Sequence, residues 1–130
     1  FMCENDAYLS AQEAGRRGIV YPANVHIIPV RCIGSVNMAL IKDGISEGID
    51  GFLLAGCRSD ECHYITGADR AEERVNNMKD TFRDMMMDPD RIKFMRLGIG
   101  EAKVFAEASG AFVDRLRQMG PNPFKTAVVV

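Results

Sequence analysis

The chain has 130 residues, is 47% hydrophobic and 26% charged, and carries a formal net charge of −2. That length favours one domain, and surface scaling gives about two-thirds of its surface buried on folding, enough for a core without disulfide or metal staples. The slightly acidic balance and scattered lysines and arginines argue against a nucleic-acid binder, no apolar run approaches the roughly 20 residues of a membrane span, and no charged-then-apolar signal opens the chain. The expectation is a cytoplasmic domain.

Short apolar runs alternate with segments of helical length, which is the pattern of an α/β architecture. The chain opens on Phe1 rather than methionine, so residues 1–3 read as the end of a strand that has lost its upstream half. A helix fits residues 8–17, and VHIIPV (25–30) reads as a strand whose Pro29 suits a sheet edge, because proline cannot donate to a ladder. A helix fits 35–47. GFLLAG (51–56) is uncharged, as in a strand covered on both faces. The clearest helix spans 67–87, with Ala71, Val75, Met78, Phe82 and Met85 on one face, and Asp88-Pro89 ends it. IKFMRL (92–97) carries Lys93 and Arg96 and reads as a second edge. A last helix covers 100–119, with Phe105, Phe112, Leu116 and Met119 inward and Gly120-Pro121 as its stop.

With strands 1 and 3 central, the expected fold is a flavodoxin-like three-layer α/β domain with a parallel sheet of about four strands in the order 2-1-3-4. No internal repeat or linker appears. The domain is assigned to residues 1–123, leaving 124–130 as an apolar tail suited to a partner contact.

The four cysteines carry the chemical signal. Cys3, Cys32 and Cys57 each follow a strand, and Cys62 lies in the loop before the longest helix. A parallel sheet presents all its carboxyl ends on one rim, so this placement delivers four thiols to the edge where open α/β sheets hold ligands. A dithiol redox enzyme needs C-x-x-C, which is absent. A phosphatase-type loop needs arginine six residues after the cysteine, where Leu9, Met38, His63 and Ala68 stand instead. Disulfides do not suit a chain without a secretion signal. Structural zinc draws on close cysteine pairs, whereas an iron–sulfur cluster accepts ligands from separate loops. Buried thiols acting as small hydrophobes remain a third reading. Gly34, Gly56 and Gly67 supply turns whose N–H groups suit an anionic cluster.

Other residues read as structural. His63 suits a helix start, although histidine can also ligate iron. Tyr64 reads as a packing aromatic and His26 as surface. Gly98-Ile99-Gly100 begins a dinucleotide fingerprint that Lys103 breaks, and Glu101 suits a first helical turn. Met85 fits the core face, which leaves Met86 and Met87 as a contact surface.

YPANVHIIPVRC, GSV, GIDGFLLAGC, ECHYITG and LRQMGPNP, in that order, resemble the delta-subunit family of methyl-viologen-reducing hydrogenase, which is also found fused to the A subunit of heterodisulfide reductase. The resemblance runs from Phe1 to Pro123. It implies a non-catalytic electron-transfer subunit of an oxidoreductase complex, with a 2Fe–2S cluster held by Cys3, Cys32, Cys57 and Cys62. Its partners would be a hydrogenase or formate dehydrogenase and the FAD-containing A subunit of a heterodisulfide reductase that performs electron bifurcation. The family's opening motif reads like F-C-C-x-x-C-x-Y. Here Met2 and Asp6 stand at two of its cysteine positions, which leaves four thiols, enough for one cluster. The alternative is a zinc-bound or metal-free docking domain of the same kind of complex.

Overall fold

The computed structural model describes residues 1–58 and 66–124. Strands β1 (Met2–Cys3), β2 (Pro29–Val30), β3 (Phe52–Gly56) and β4 (Ile92–Arg96) form one parallel sheet in the order β2-β1-β3-β4, as expected. Helices α1 (Ala7–Arg16) and α4 (Ala102–Met119) cover one face; α2 (Met38–Ser46) and α3 (Gly67–Asp84) cover the other. Short 3₁₀ turns at Ile33–Ser35 and Pro89–Arg91 lead into α2 and β4.

The two-residue alternation of β3 and β4 assigns their side chains to the two layers. Phe52, Leu54, Ile92 and Phe94 join the core under α2 and α3 with Ile41, Ile45, Val75 and Phe82. Ala55, Met95 and Leu97 face α1 and α4, together with Met2, Cys3 and Cys57. The thiol pair therefore belongs to the α1/α4 side.

Several boundaries differ from expectation for local reasons. Of residues 25–30 only Pro29 and Val30 form strand, because β1 offers only Met2 and Cys3 as partners, in register with them. The run before α2 breaks into a 3₁₀ turn, and α2 starts afresh where the Asn37 side chain accepts from the Ala39 N–H at 2.9 Å. Helix α3 stops at Asp84, and Met86 adopts φ 60°. That turn carries Met87 inward, its N–H donating to the Phe82 carbonyl at 2.8 Å, so Met87 rather than Met85 is buried while Met86 lies exposed. In α4, Phe105, Ser109, Phe112 and Val113 are buried, whereas Leu116 and Met119 are not fully so. His26 is exposed, as expected.

The end of α4 is fastened to the amino edge of the sheet by two buried polar side chains. Arg91 donates to the carbonyls of Asp50 (2.8 Å), Gly120 (3.0 Å) and Pro121 (3.3 Å). Asn122 donates to those of Ile45 (2.8 Å) and Ile49 (2.6 Å), and its oxygen accepts from the Phe124 N–H at 2.8 Å. The GPNP segment is thus a structural clamp. Asn122→Ala leaves the buried Ile45 carbonyl and the half-buried Ile49 carbonyl without these donors and is expected to destabilise by about 2 kcal/mol, read as a lower urea midpoint at unchanged m-value. An unchanged midpoint would remove the clamp.

Among the described residues no helix is long and apolar enough to cross a membrane. Residues 125–130 of the tail, and Cys62, His63 and Tyr64, lie outside the described residues.

Candidate metal centre

Because β1 and β3 are adjacent and parallel, the residues at their carboxyl ends meet. Cys3 closes β1 and Cys57 follows Gly56, and both are buried, at 2% and 1% exposure. Their Sγ atoms stand 3.3 Å apart. A disulfide would need about 2.05 Å. Two thiolates on one tetrahedral metal with bonds of about 2.3 Å would sit about 3.8 Å apart. The observed separation lies closer to the second value. Cys3 Sγ also donates to the Arg31 carbonyl at 3.7 Å. Cys32, half-buried, lies on the same rim two residues after β2, and its carbonyl accepts from the Ser35 hydroxyl at 2.6 Å.

The structure thus brings Cys3 and Cys57 together and sets Cys32 on their rim. Among the described residues no three Cys, His, Asp or Glu side chains by themselves form a metal-binding group.

Burial, then the hydrogen bond to Cys3, then Asp6, push the Cys57 thiol well above its ordinary pKa. Such a thiol is protonated at neutral pH, the opposite of the depressed pKa that a thiol enzyme requires. A bound metal reverses this balance by taking the thiolate as ligand. Two soft sulfur donors on one rim suit a thiolate-bound metal, with further ligands needed to complete its coordination.

Helices α1, α3 and α4 begin at this rim, so the partial positive charge of their first N–H groups faces the thiols' edge. The 3₁₀ turn after Cys32 rests on the start of α3 with backbone against backbone: a Cβ on Gly34 would lie 2.8 Å from the Gly67 oxygen and 2.9 Å from its Cα. Arg74 reinforces the contact by donating to the Gly34 carbonyl at 2.6 Å. Gly34→Ala must therefore push the Cys32 turn off α3. A cost of about 1–3 kcal/mol is expected, measured by thermal unfolding; an unshifted transition would mean that the turn yields freely.

Arg96 braces Cys57. It donates to the Cys57 carbonyl at 3.3 Å and reaches Asp69 (2.7 Å) and Glu72 (2.9 Å) on the first turns of α3. Burial pulls its pKa down, but the bonds to Glu72 and Asp69 outweigh it and the net shift is upward. Arg58, next to Cys57, pairs with Glu101, which also accepts from the Gly98 N–H at 2.7 Å. The bond from Arg58 holds the Glu101 carboxyl below its ordinary pKa. Glu101 thus folds back over the Gly98 loop, and buried Ser10 fixes that loop to α1 by donating to the Gly98 carbonyl at 2.6 Å.

A cavity of about 720 Å³ lies toward the amino ends of the strands, between Phe1, Phe52, Phe112 and Leu116, away from the thiols. A smaller one, about 450 Å³, is at the carboxyl rim beside Cys57, lined by Asp6, Arg58, Gly98, Ile99 and Glu101. The chemistry favours the smaller cavity as part of the site, since it is lined by the titratable Asp6, Arg58 and Glu101 next to Cys57.

Sequence reasoning missed the bracing roles of Arg96, Arg58 and Ser10. Nothing in their spacing signals these contacts, which join residues 24 to 91 positions apart. Along the chain, Asp6 stands out only as a departure from the family's opening motif.

A parallel α/β domain with paired buried thiols on its carboxyl rim defines a class of small thiol-bearing α/β proteins. Residues 1–120 match the family described as methyl-viologen-reducing hydrogenase, delta subunit, and the chain belongs to that family. It is 37% identical over 125 residues to the iron-sulfur D subunit of the vhu F420-non-reducing hydrogenase of Methanococcus voltae, covering 96% of this chain and 93% of that one. It is 34% identical over 121 residues to the A subunit of the ferredoxin/F(420)H(2)-dependent CoB-CoM heterodisulfide reductase of Methanosarcina acetivorans. The match covers 93% of this chain but spans only 15% of that much longer relative. The A subunit of the ferredoxin:CoB-CoM heterodisulfide reductase of Methanosarcina mazei is 33% identical over 121 residues, again 15% of its length.

Proposed function

We propose that this chain is an electron-transfer subunit that holds a 2Fe–2S cluster at the carboxyl rim of its sheet. It would relay electrons between a hydrogenase or formate dehydrogenase and the flavin-containing A subunit of a heterodisulfide reductase, within a cytoplasmic electron-bifurcating complex. The observation that carries the reading is the buried Cys3–Cys57 pair, with Sγ atoms 3.3 Å apart at the meeting of two central strands. The names of relatives, an iron-sulfur D subunit of a hydrogenase and the A subunit of a heterodisulfide reductase, support it.

Cys3 and Cys57 would be two ligands, with Cys32 and Cys62 completing the four. The cluster, when bound, supplies one-electron transfer. The chain's own residues do the rest. Arg96 holds the Cys57 backbone, the Gly34–Gly67 contact seats the Cys32 turn, and burial of Cys3 and Cys57 keeps water from their sulfurs. No side chain is assigned as general acid, base or nucleophile.

The test is the iron and acid-labile sulfide content of anaerobically purified protein, with EPR after dithionite reduction. About two irons and two sulfides per chain with an S = 1/2 signal are expected. A colourless protein with zinc and no sulfide would move the chain to the alternative, a structural docking domain of the same kind of complex.

A further inference from the structure

Arg96 is the last residue of β4, and its guanidinium lies over the Phe94 ring, 5.4 Å from the centroid. One guanidinium nitrogen donates to the Cys57 carbonyl at 3.3 Å; the other bonds Asp69 and Glu72 on α3. These three charges are not screened alike. The Arg96 side chain is 19% exposed, whereas those of Asp69 and Glu72 are 68% and 50% exposed. Water therefore damps the field of the two carboxylates more than that of the cation. The Arg58–Glu101 pair also adjoins Cys57, but its cation is 50% exposed and loses more of its field to solvent. A guanidinium keeps its charge at any pH at which a protein stays folded. Cys57 thus has a fixed, poorly screened positive charge bonded to its carbonyl.

We propose that Arg96 raises the reduction potential of the centre at this rim by holding its charge beside Cys57, with Asp69 and Glu72 as counterweights that limit the rise. The inference rests on the iron–sulfur reading above. Taking up one electron adds one negative charge to a centre that thiolates already make negative. A nearby cation stabilises that added charge, and nearby carboxylates oppose it. Arg96 is a positioning residue in this role, since it acts through the Cys57 backbone and through space. Its bracing of Cys57 and its electrostatic effect are separable, because a neutral amide can keep a hydrogen bond but not the charge.

The test is a potentiometric titration of the full chain, purified anaerobically and followed by EPR. Wild type is compared with Arg96→Gln, Arg96→Lys, Asp69→Asn and Glu72→Gln. Arg115→Gln is the control, because Arg115 pairs with Asp88 and Asp90, which precede the other end of β4. Iron and sulfide content and far-UV circular dichroism establish that each variant is loaded and folded. Arg96→Gln should move the midpoint to more negative potential by about tenfold in the reduced-to-oxidised ratio, about 59 mV for one electron. Arg96→Lys should restore most of that loss. Asp69→Asn and Glu72→Gln should move it the other way by less, and Arg115→Gln should match wild type. The shifts should shrink as salt is added.

A purely structural role for Arg96 does not give shifts of opposite sign when the cation and its carboxylate partners are neutralised in turn. A wild-type midpoint in a fully loaded Arg96→Gln would overturn the inference while leaving the cluster reading intact. So would shifts of one sign in all the rim variants. If Arg96→Gln fails to fold or to hold iron, the carboxylate variants decide, and midpoints that stay put or fall in both would overturn it. A wild type without iron and sulfide overturns the cluster reading itself, and this inference falls with it.

Discussion

On the proposed cluster, replacing Cys57 by serine is expected to abolish iron and sulfide binding, or leave a centre with markedly changed absorption, while the fold persists. Cys57 is 1% exposed and its sulfur lies 3.3 Å from that of Cys3, so no other described thiol is better placed to share a metal with Cys3. Serine has nearly the same volume, and its hydroxyl can bond with groups that the thiol faces. The loss to the apoprotein should be about 1–2 kcal/mol for burying a more polar group. The larger effect falls on the metal, because a serine hydroxyl is a poor ligand for a centre that prefers soft thiolate sulfur. Iron analysis, visible absorption and far-UV circular dichroism on the same sample separate the two effects. A wild-type spectrum with full iron would strike Cys57 from the ligand set. In the metal-free wild type the raised pKa leads to a companion expectation: Cys57 should react slowly with iodoacetamide at neutral pH.

Phe82→Ala should lower stability by about 3–5 kcal/mol, the largest effect expected of any single core truncation here. Phe82 is fully buried on α3 within the cluster that includes Ile41, Ile45, Leu54, Val75 and Ile92. Its carbonyl also anchors the turn that brings Met87 back to the core. Those partners come from α2, β3, α3 and β4, so the cavity cannot close without moving several elements at once. A drop of about 10–20 °C in the unfolding midpoint is the corresponding thermal signal for a chain of this size. The truncation lies across the sheet from the thiols, so the variant should keep its metal content below its transition. A loss under about 1 kcal/mol would mean that α3 does not rest on the sheet as described, whereas metal lost from a still-folded protein would mean that the two faces are coupled.

The sequence by itself determined the class and order of the fold. Strand character depends on local composition. The uncharged run ending at Gly56 marked a central strand, Pro29 marked an edge, and the 3.6-residue period of Ala71, Val75, Met78 and Phe82 marked the long helix. Parallel connectivity then forced the strand ends bearing Cys3, Cys32 and Cys57 onto one rim, and the ordered motifs carried the family. Element ends were less legible, because they depend on what lies alongside. β2 shrank to the two residues that β1 could pair, and the positive φ of Met86 exchanged Met85 for Met87 in the core.

What only the tertiary structure decided was which thiols meet and what surrounds them. Cys3 and Cys57 are 54 positions apart, and their 3.3 Å approach follows from strand adjacency and register, which no local pattern encodes. The bracing of Cys57 by Arg96, the backbone contact of Gly34 with Gly67 and the burial of Asp6 beside Cys57 likewise arise only once separate elements are packed. The reason is the range of the interactions. Hydrophobic period and turn chemistry act over a few residues and can be read along the chain, whereas donor geometry and burial depend on neighbours that folding alone brings together.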